Sequence, residues 1–357
     1  MRKLASIRRV LEIKPIDGAD AIEAIRVDGW WCVSKKGEFQ VDDLCVYFEI
    51  DSFLPVRPEF EFLRKSCFRS TKNLGDGFRL KTVKLRGQVS QGLCLPLSIV
   101  AKFDDRFNRW YLPTATDAND YLKEGDDLTE ILGVQKWEVP LPAQLAGTVK
   151  GNFPSFIRKT DQERIQNCYN DLVKEYKDDL FEATLKLDGS SMTVYYNNGE
   201  FGVCSRNLEL KETDGNTYWK VARNYKFEEV MRNYGKNIAI QGELMGPGIQ
   251  GNREKLHYHD FYVFDIWHID EQCYLGSVEK HDILMDLEDF MDGFEIKDVP
   301  YIGYDHYLQK FSFEELLKMS EIKSLNNPIA EGIVYRSLEH PEVSFKVINN
   351  QFLIKEE

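Results

Sequence analysis

Residues 184–191 read Thr-Leu-Lys-Leu-Asp-Gly-Ser-Ser, and the fold of the chain can be worked out from this stretch. Asp188-Gly189 is a strong turn signal. We therefore expect a strand from Phe181 to Lys186, a sharp corner, and a returning strand from Ser191 to Tyr196. The corner would direct Lys186 into a cleft. Seen alone, a Lys-x-Asp-Gly tetrapeptide is more often a β-hairpin with an exposed lysine, so the interpretation depends on the rest of the chain.

A lysine at such a corner is a candidate nucleophile for a nucleotide. Its amine attacks phosphorus only when it is neutral, so the pKa of Lys186 would have to fall from roughly 10.4 towards about 7–8. Neighbouring cations and a metal ion can lower a lysine pKa in this way. The sequence therefore predicts other charged groups close to Lys186.

Five further segments follow in a fixed order along the chain. They are Ser-Arg-Asn at 205–207, Gln-Gly-Glu-Leu at 241–244, Phe-Tyr-Val-Phe-Asp-Ile at 261–266, Glu-Gly-Ile-Val-Tyr-Arg at 331–336 and Ser-Phe-Lys-Val-Ile-Asn at 344–349. Together with residues 184–191 they resemble motifs I, Ia, III, IIIa, IV and V of the covalent nucleotidyltransferases. This superfamily comprises the polynucleotide ligases and the mRNA capping enzymes. The resemblance covers roughly residues 150–357.

The resemblance implies catalytic roles for Lys186, Lys346 and Asp188, and a metal site. Lys186 would attack the α-phosphorus of ATP, expel pyrophosphate and keep AMP on its amine. Lys346 would contact the α-phosphate and help to keep Lys186 neutral. Asp188, Glu243 and Glu331 would surround Mg²⁺ or Mn²⁺, largely through bound waters, because magnesium gives up its water reluctantly.

The resemblance also implies contacts with the rest of the nucleotide. Phe264 would stack on adenine, Arg206 would hold the ribose or the RNA end, and Arg164 would contact the outer phosphates. The chain departs from the family pattern at two positions. Many ligases have Glu two residues before the nucleophile, where this chain has Thr184. Related RNA ligases often have a lysine at the position of Ser344.

Residues 1 to about 100 predict short strands separated by turns and no long helix, as in a small Greek-key barrel of OB type. Trp30, Trp31 and Phe78 are candidate stacking surfaces for bases, although each is as well suited to fill the barrel. The phrases Ile-Asp-Ser-Phe-Leu-Pro at 50–55 and Leu-Arg-Gly-Gln-Val-Ser-Gln-Gly-Leu at 85–93 resemble the N-terminal OB domain of Naegleria-type and Deinococcus-type ATP-dependent RNA ligases.

The expected fold class is α+β, with an OB-type β-barrel followed by a nucleotidyltransferase domain of antiparallel sheets flanked by helices. We expect an OB-like nucleic-acid-binding domain at 1–110, a connector at 111–148, and the domain with motifs I to V at 149–357. Phe78 to Arg86 is expected to form one strand. Thr160 or Asp161 is a candidate cap for a helix that runs towards Tyr176.

Composition is that of a cytoplasmic enzyme, expected to be a monomer. The chain has 357 residues, of which 43% are hydrophobic and 29% are charged. No run of about 18 apolar residues is present, and the first residues lack the apolar core of a signal peptide, so no membrane partner is expected. The seven cysteines are scattered and form no Cys-x-x-Cys pair, which argues against a disulfide framework or a zinc site.

The net charge of −13 is the main objection to a nucleic-acid partner, because phosphates are bound by Lys and Arg. The charge is unevenly distributed, however. Between Phe60 and Gly87 there are eight basic residues and two acidic ones, Glu61 and Asp76. The basic residues are Arg64, Lys65, Arg69, Lys72, Arg79, Lys81, Lys84 and Arg86. This segment is a candidate RNA-binding surface.

The sequence thus predicts an ATP-dependent RNA ligase that joins 3′-hydroxyl and 5′-phosphate RNA ends. An ATP-dependent DNA ligase is one alternative, because little in the sequence identifies the sugar. The order of domains argues against this alternative and against a capping enzyme, since both place their OB domain after motif V. A non-catalytic RNA-binding protein is the third possibility, opposed by the intact Lys186, Asp188, Glu243, Glu331 and Lys346.

Overall fold

The structure is a computed structural model that describes residues 3–104, 109–113, 121–137, 147–291 and 295–355. The chain divides into two compact units, Met1–Pro140 and Leu141–Glu357. In the described residues, no helix is both long and apolar enough to cross a membrane.

The first unit is built mainly from short strands. The strands are β1 (Ala5–Pro15), β2 (Ile22–Val27), β3 (Trp30–Lys35), β4 (Leu44–Phe48), β5 (Ser52–Pro55), β6 (Phe68–Thr71), β7 (Gly75–Arg79), β8 (Val83–Leu85), β9 (Gln88–Ser90), β10 (Leu93–Pro96), β11 (Lys102–Asp104), β12 (Arg109–Tyr111) and β13 (Gln135–Lys136). The two α-helices of its described part are single turns, α1 (Arg64–Cys67) and α2 (Thr129–Leu132).

Antiparallel pairing gives this unit its barrel-like shape. One sheet has the order β10-β4-β1-β2-β3, and a second has the order β13-β5-β7-β6. The amide of Gln91 donates to the carbonyl of Trp31 at 2.8 Å, which links β3 to the segment before β10 and curls the first sheet. Alternate apolar residues such as Ile7, Val46 and Phe48 point into the core. The predicted OB-type architecture is therefore present.

In the first unit, the structure decides between the two roles left open for the aromatic residues, and it differs from one predicted strand. Trp30 and Phe78 are fully buried and fill the core, so they offer no surface to a base. Trp31 is partly exposed, and the Lys14 ammonium lies 3.7 Å from its ring centroid. The strand predicted over 78–86 is interrupted, since β7 ends at Arg79 and β8 begins at Val83.

Part of the predicted connector packs into the first unit. Leu128, Leu132 and Val134 belong to its core, and β13 pairs with β5. The remainder of the connector includes residues 114–120 and 138–146, which lie outside the described residues. The domain boundaries stay a prediction.

The second unit contains longer strands and most of the helices. Its strands are β14 (Val149–Asn152), β15 (Glu163–Arg164), β16 (Phe181–Lys186), β17 (Ser190–Asn197), β18 (Glu200–Ser205), β19 (Leu208–Leu210), β20 (Ile238–Met245), β21 (Asp260–His268), β22 (Cys273–Tyr274), β23 (Lys297–Asp298), β24 (Tyr301–His306), β25 (Gly332–Ser337) and β26 (Ser344–Ile348). Its helices are α3 (Ile165–Glu175), α4 (Thr217–Asn224), α5 (Phe227–Tyr234), α6 (Ser277–Glu288), α7 (Phe313–Met319) and α8 (Asn350–Lys355).

Two sheets organise this second unit. The larger one has the order β14-β19-β18-β17-β20-β21-β22, with β23 paired to β21, and the smaller one has the order β15-β26-β25-β16-β24. The predicted strands on both sides of the 187–189 corner are present. They do not form a hairpin, because β16 pairs with β24 and β25 whereas β17 pairs with β18 and β20. The corner therefore leads the chain from one sheet into the other.

The helices of the second unit agree only in part with those predicted from the sequence. Ser312 and Glu315 form a capping box at the start of α7. The predicted cap of α3 at Thr160 or Asp161 is wrong, because α3 begins at Ile165 and β15 precedes it. Helices α4 and α5 were not predicted, and their buried residues pack under the larger sheet.

Candidate active site

A pocket lies between the two sheets of the second unit, with an open volume of about 800 Å³ that includes some bulk solvent. Side chains alternate along a strand, so every second residue of β16 faces the same side. Glu182, Thr184 and Lys186 line the pocket in this way, as do Val334 and Arg336 of β25. The other strands contribute Lys346, Ser191, Arg206, Glu243, Phe264 and Asp265.

Lys186 lies at the end of β16 and forms an ion pair within the pocket. Its Nζ atom is 2.7 Å from Oε1 of Glu331, and its side chain is 21% exposed. Burial acts to lower the pKa of Lys186, but the carboxylates of Glu331, Glu243 and Asp188 outweigh burial and raise it above 10.5. The protein alone therefore holds this amine protonated, which is the opposite of what nucleophilic attack needs. The expected lowering of the pKa requires positive charge brought by other groups.

Glu243 is the second carboxylate beside Lys186. Burial raises the pKa of Glu243 to about 8, while Lys186 and the amide of Gly189 act to lower it. The Gly189 amide donates to Oε1 of Glu243 at 3.0 Å. A side chain at Gly189 would put its Cβ 2.5 Å from the carbonyl oxygen of Leu244. The glycine at the corner is thus required for the close approach that holds Glu243 in place.

Asp161 occupies the part of the pocket near two cations. Its Oδ1 atom is 3.3 Å from the Arg206 guanidinium and 3.8 Å from the Lys346 ammonium. The three side chains come from the segment before β15, the turn after β18, and β26. A carboxylate held by two cations shows that this position is suited to an anion such as a phosphate.

Asp188 is paired with a cation that the sequence analysis did not single out. Its Oδ2 atom is 3.6 Å from the guanidinium of Arg253, in the loop between β20 and β21. The Arg253 guanidinium in turn lies 4.2 Å from the ring centroid of Phe352 in α8. Arg253 therefore links the corner to the C-terminal helix.

The pocket wall also contains buried carboxylates. Glu182, near the start of β16 and opposite Arg336 in the strand pairing, is one, and Asp265 is another. Phe264 and Val299 are further lining residues. The Asp265 carboxylate accepts from the Arg336 guanidinium at 2.6 Å. Burial raises the pKa of Asp265, and Arg336 opposes that rise.

The pocket brings together most of the residues predicted from the sequence. Lys186, Arg206, Glu243, Phe264 and Lys346 line it, Glu331 is paired with Lys186, and Asp188 follows Lys186 at the corner. Arg164 is not among the lining residues. It is buried and pairs in register with Lys346, in the parallel contact of β15 with β26.

Asp188, Glu243 and Glu331 are the three carboxylates that act on Lys186, and they are the predicted ligands of a divalent metal ion. Their oxygen atoms are the hard ligands that Mg²⁺ and Mn²⁺ prefer, and their combined charge acts on the same amine. Within the described ranges, no three acidic, histidine or cysteine side chains form a ready-made metal cage. The donor set therefore fits an ion that keeps several of its waters.

The sequence analysis missed Arg253 and Glu182, and it considered Asp161 only as a helix cap. The alternation of β16 places Glu182 on the same face as Lys186, so the pattern contained a signal for this residue. Arg253 and Asp161 lie in irregular segments, for which periodicity gives no orientation.

An OB-type barrel in one unit and, in the other, a two-sheet pocket with a lysine among carboxylates define the class of the covalent nucleotidyltransferases. Family models agree with this class, since residues 4–97 match an OB-fold domain and residues 179–348 match RNA ligase. No curated protein matches the chain.

Solved structures of Naegleria gruberi RNA ligase are similar over nearly the full length of both chains. The apo form of a mutant is 45% identical, with a TM-score of 0.86, and the alignment covers 99% of this chain and 97% of that one. The structure with PPi is 45% identical, with a TM-score of 0.85 and coverage of 99% and 98%. A mutant with ATP and Mn is 45% identical, with a TM-score of 0.84 and coverage of 99% and 97%. The chain therefore belongs to the RNA ligase family.

Proposed function

We propose that this RNA ligase joins RNA 3′-hydroxyl and 5′-phosphate ends with ATP and Mg²⁺ or Mn²⁺, through an AMP carried on Lys186. The main support is the position of the Lys186 amine, 2.7 Å from Glu331 in a pocket that also contains Glu243 and Lys346. The Naegleria enzyme has been solved with ATP and Mn and with AMP and Mn, which supports the same nucleotide and a divalent metal here.

In the first step, the Lys186 nitrogen forms a bond to the α-phosphorus of ATP as the bond to the pyrophosphate oxygen breaks. The amine must first lose a proton, and the carboxylates around it oppose that loss. Asp188, Glu243 and Glu331 would hold a divalent ion, which would supply positive charge to offset these carboxylates and favour the neutral amine.

Other side chains of the pocket position the nucleotide. Lys346 contacts the α-phosphate and stabilises the negative charge that develops on its oxygens. Arg206 holds the ribose or the RNA end, and Phe264 stacks on the adenine. Arg164 contacts the outer phosphates, which requires the segment before α3 to rearrange because its side chain is buried in this structure.

In the second step, the 5′-phosphate of one RNA end attacks the phosphorus of the lysine-bound AMP and releases Lys186. In the third, the 3′-hydroxyl of the other end attacks the resulting RNA-adenylate and AMP leaves. The OB-like domain, proposed as residues 1–110, binds the RNA, and a connector at 111–148 joins it to the catalytic domain at 149–357. Strand-rich OB domains bind nucleic acid in many proteins.

The enzyme is proposed to act as a cytoplasmic monomer. All seven cysteines are free, which fits a reducing compartment.

The experiment is incubation with ATP labelled on its α-phosphate and Mg²⁺ or Mn²⁺, followed by a denaturing gel. We expect acid-labile label on the wild-type protein and on Lys220→Ala, a matched variant at an exposed lysine of α4, and none on Lys186→Ala. Chasing the label with nicked RNA and with nicked DNA then identifies the polynucleotide. Absence of label on wild-type protein freed of bound AMP would contradict the proposal.

A further inference from the structure

Glu182 is a buried carboxylate in the wall of the pocket with an unused acceptor. The residue is 4% exposed, and its Oε2 atom has no hydrogen-bond partner among the described residues. Buried polar atoms in folded proteins nearly always have a partner, because leaving one unpaired destabilises the fold. An unpaired carboxylate oxygen in a pocket wall is thus suited to a donor that arrives with the ligand.

The neighbours of Glu182 do not satisfy this oxygen. Arg336 lies opposite Glu182 in the pairing of β16 with β25, but its guanidinium contacts Asp265 at 2.6 Å and the carbonyl oxygen of Pro341. Thr184, on the same face, donates its hydroxyl to the carbonyl of Val334 at 3.4 Å. Among the described residues of the pocket wall, Oδ2 of Asp265 is a second buried carboxylate oxygen without a hydrogen-bond partner.

The position of Glu182 relative to Lys186 fits the length of a nucleotide. Lys186 is four positions after Glu182, which corresponds to about 13 Å along β16. A nucleotide with its α-phosphorus at Lys186 and its base against Phe264 extends along this strand. The edge of the base then faces the pocket end where Glu182 and Asp265 lie.

We propose that Glu182 accepts a hydrogen bond from the exocyclic 6-amino group of adenine and thereby selects ATP over GTP. This inference rests on the proposed function, since it assigns the base-reading residue of that site. Adenine presents an amino donor at this edge, whereas guanine presents the O6 acceptor. A carboxylate oxygen accepts from the amine and repels the carbonyl oxygen.

The first test needs no variant. Wild-type protein is incubated separately with ATP and with purine riboside 5′-triphosphate, which lacks only the amino group. For each nucleotide, the rate of nucleotidyl transfer to Lys186 is divided by the nucleotide concentration, and the two values are compared. We expect ATP to be used roughly 10- to 100-fold better, the usual effect of a hydrogen bond to a charged group. Equal use of the two nucleotides would overturn the proposal.

The second test assigns the effect to Glu182. In Glu182→Ala the preference for ATP over the purine analogue should fall to about one, because ATP loses its partner while the analogue had none. In Glu182→Gln the side chain also offers an amide donor, so the use of GTP relative to ATP should rise. The exposed variant Glu321→Gln should keep the wild-type preference.

Thermal unfolding of each variant shows whether it is folded, and the ratio between two nucleotides cancels any general loss of active protein. An unchanged preference in folded Glu182→Ala would refute the role of Glu182 even though wild-type label forms. Absence of label on wild type with every nucleotide would instead refute the proposed function.

Discussion

The basic residues of the two units differ in how they are held. In the second unit, the Lys186 side chain is only 21% exposed and lies among carboxylates, and its pKa depends on all of them. In the first unit, the pair of Arg64 with Glu61 lies at the surface, with side chains 46% and 41% exposed. Surface charges are screened by water and salt and act almost independently, whereas buried charges are strongly coupled. One substitution should therefore have a large effect in the pocket and a modest one on the surface.

The basic residues between Phe60 and Gly87 differ in how far they are exposed. Arg79 stacks on Trp137, with its guanidinium carbon 4.8 Å from the ring centroid, and its Nε atom is buried. Lys84 and Arg86 are exposed on the hairpin of β8 and β9. Arg86 and Gly87 both have positive φ angles, of 46° and 85°, which produce a tight turn. This hairpin tip is better suited to contact RNA than Arg79, which belongs to the fold.

The largest effect is expected in the pocket. Lys346→Ala should slow the adenylylation of Lys186 roughly 10²- to 10³-fold, because it removes a positive charge aimed at the transition state. The control is Lys220→Ala, which removes an exposed lysine of the same unit. Single-turnover labelling with ATP measures both rates. Similar rates for the two variants would show that burial does not distinguish these lysines.

An intermediate effect is expected on the surface of the first unit. The double reversal Lys84→Glu and Arg86→Glu should weaken the sealing of nicked RNA about tenfold and reduce the salt slope of RNA binding by about two, one for each phosphate contact. Self-adenylylation should be unchanged. Lys36→Glu, an exposed lysine after β3, serves as the control. If the reversal leaves sealing and the salt slope intact, the hairpin does not bind RNA.

The pocket was more predictable than the surface because its motifs are local. The turn signal at Asp188-Gly189 fixes the end of β16, and strand alternation then directs Lys186 and Glu182 to one side. The charge state of Lys186 was not predictable, because it depends on Glu331, which is distant in sequence. The sequence also did not show that β16 and β17 belong to different sheets. The strand partners of β16 lie more than a hundred residues away.

The sequence could not predict which aromatic residues of the first unit face the core. Trp30 and Trp31 are adjacent in β3 and must face opposite sides, but alternation does not say which side is the core. The structure buries Trp30 completely and leaves Trp31 partly exposed beneath Lys14. Only the pairing of distant strands decides between the two faces.

A smaller effect is expected from Asp161, whose partly exposed carboxylate pairs with Arg206 and Lys346. ATP phosphates must displace this carboxylate from the cations. Asp161→Asn should therefore tighten ATP binding by a factor of about 1.5 to 5, the range for exposed ion pairs of roughly 0.2–1 kcal/mol. Calorimetric titration in the Lys186→Ala background measures binding without reaction. Asp214→Asn, which changes an exposed aspartate paired with Arg223, is the control. Weaker binding in Asp161→Asn would mean that Asp161 assists the nucleotide.

The smallest effect is expected at an ion pair of the second unit in which the histidine side chain is 49% exposed and the aspartate 12% exposed. This pair tests whether exposure, rather than the unit in which a pair lies, sets the size of the effect. Nδ1 of His340 lies 2.8 Å from Oδ2 of Asp179, and this contact raises the pKa of His340 above 6.5. Because the pKa of His340 is higher in the folded state than in the unfolded state, the pair adds to the free energy of unfolding. This contribution is complete below the unfolded-state pKa and is lost as pH rises through the folded-state pKa. His340→Gln should therefore lower the melting temperature slightly at about pH 5.5 and have less effect at about pH 8.5. Thermal unfolding at both pH values measures this difference, with His281→Gln as a control at another exposed histidine. A larger loss at the higher pH would contradict the assigned pair. If His340→Gln lowered the melting temperature as much as loss of a buried ion pair does, exposure would not explain the difference between the pocket and the surface of the first unit.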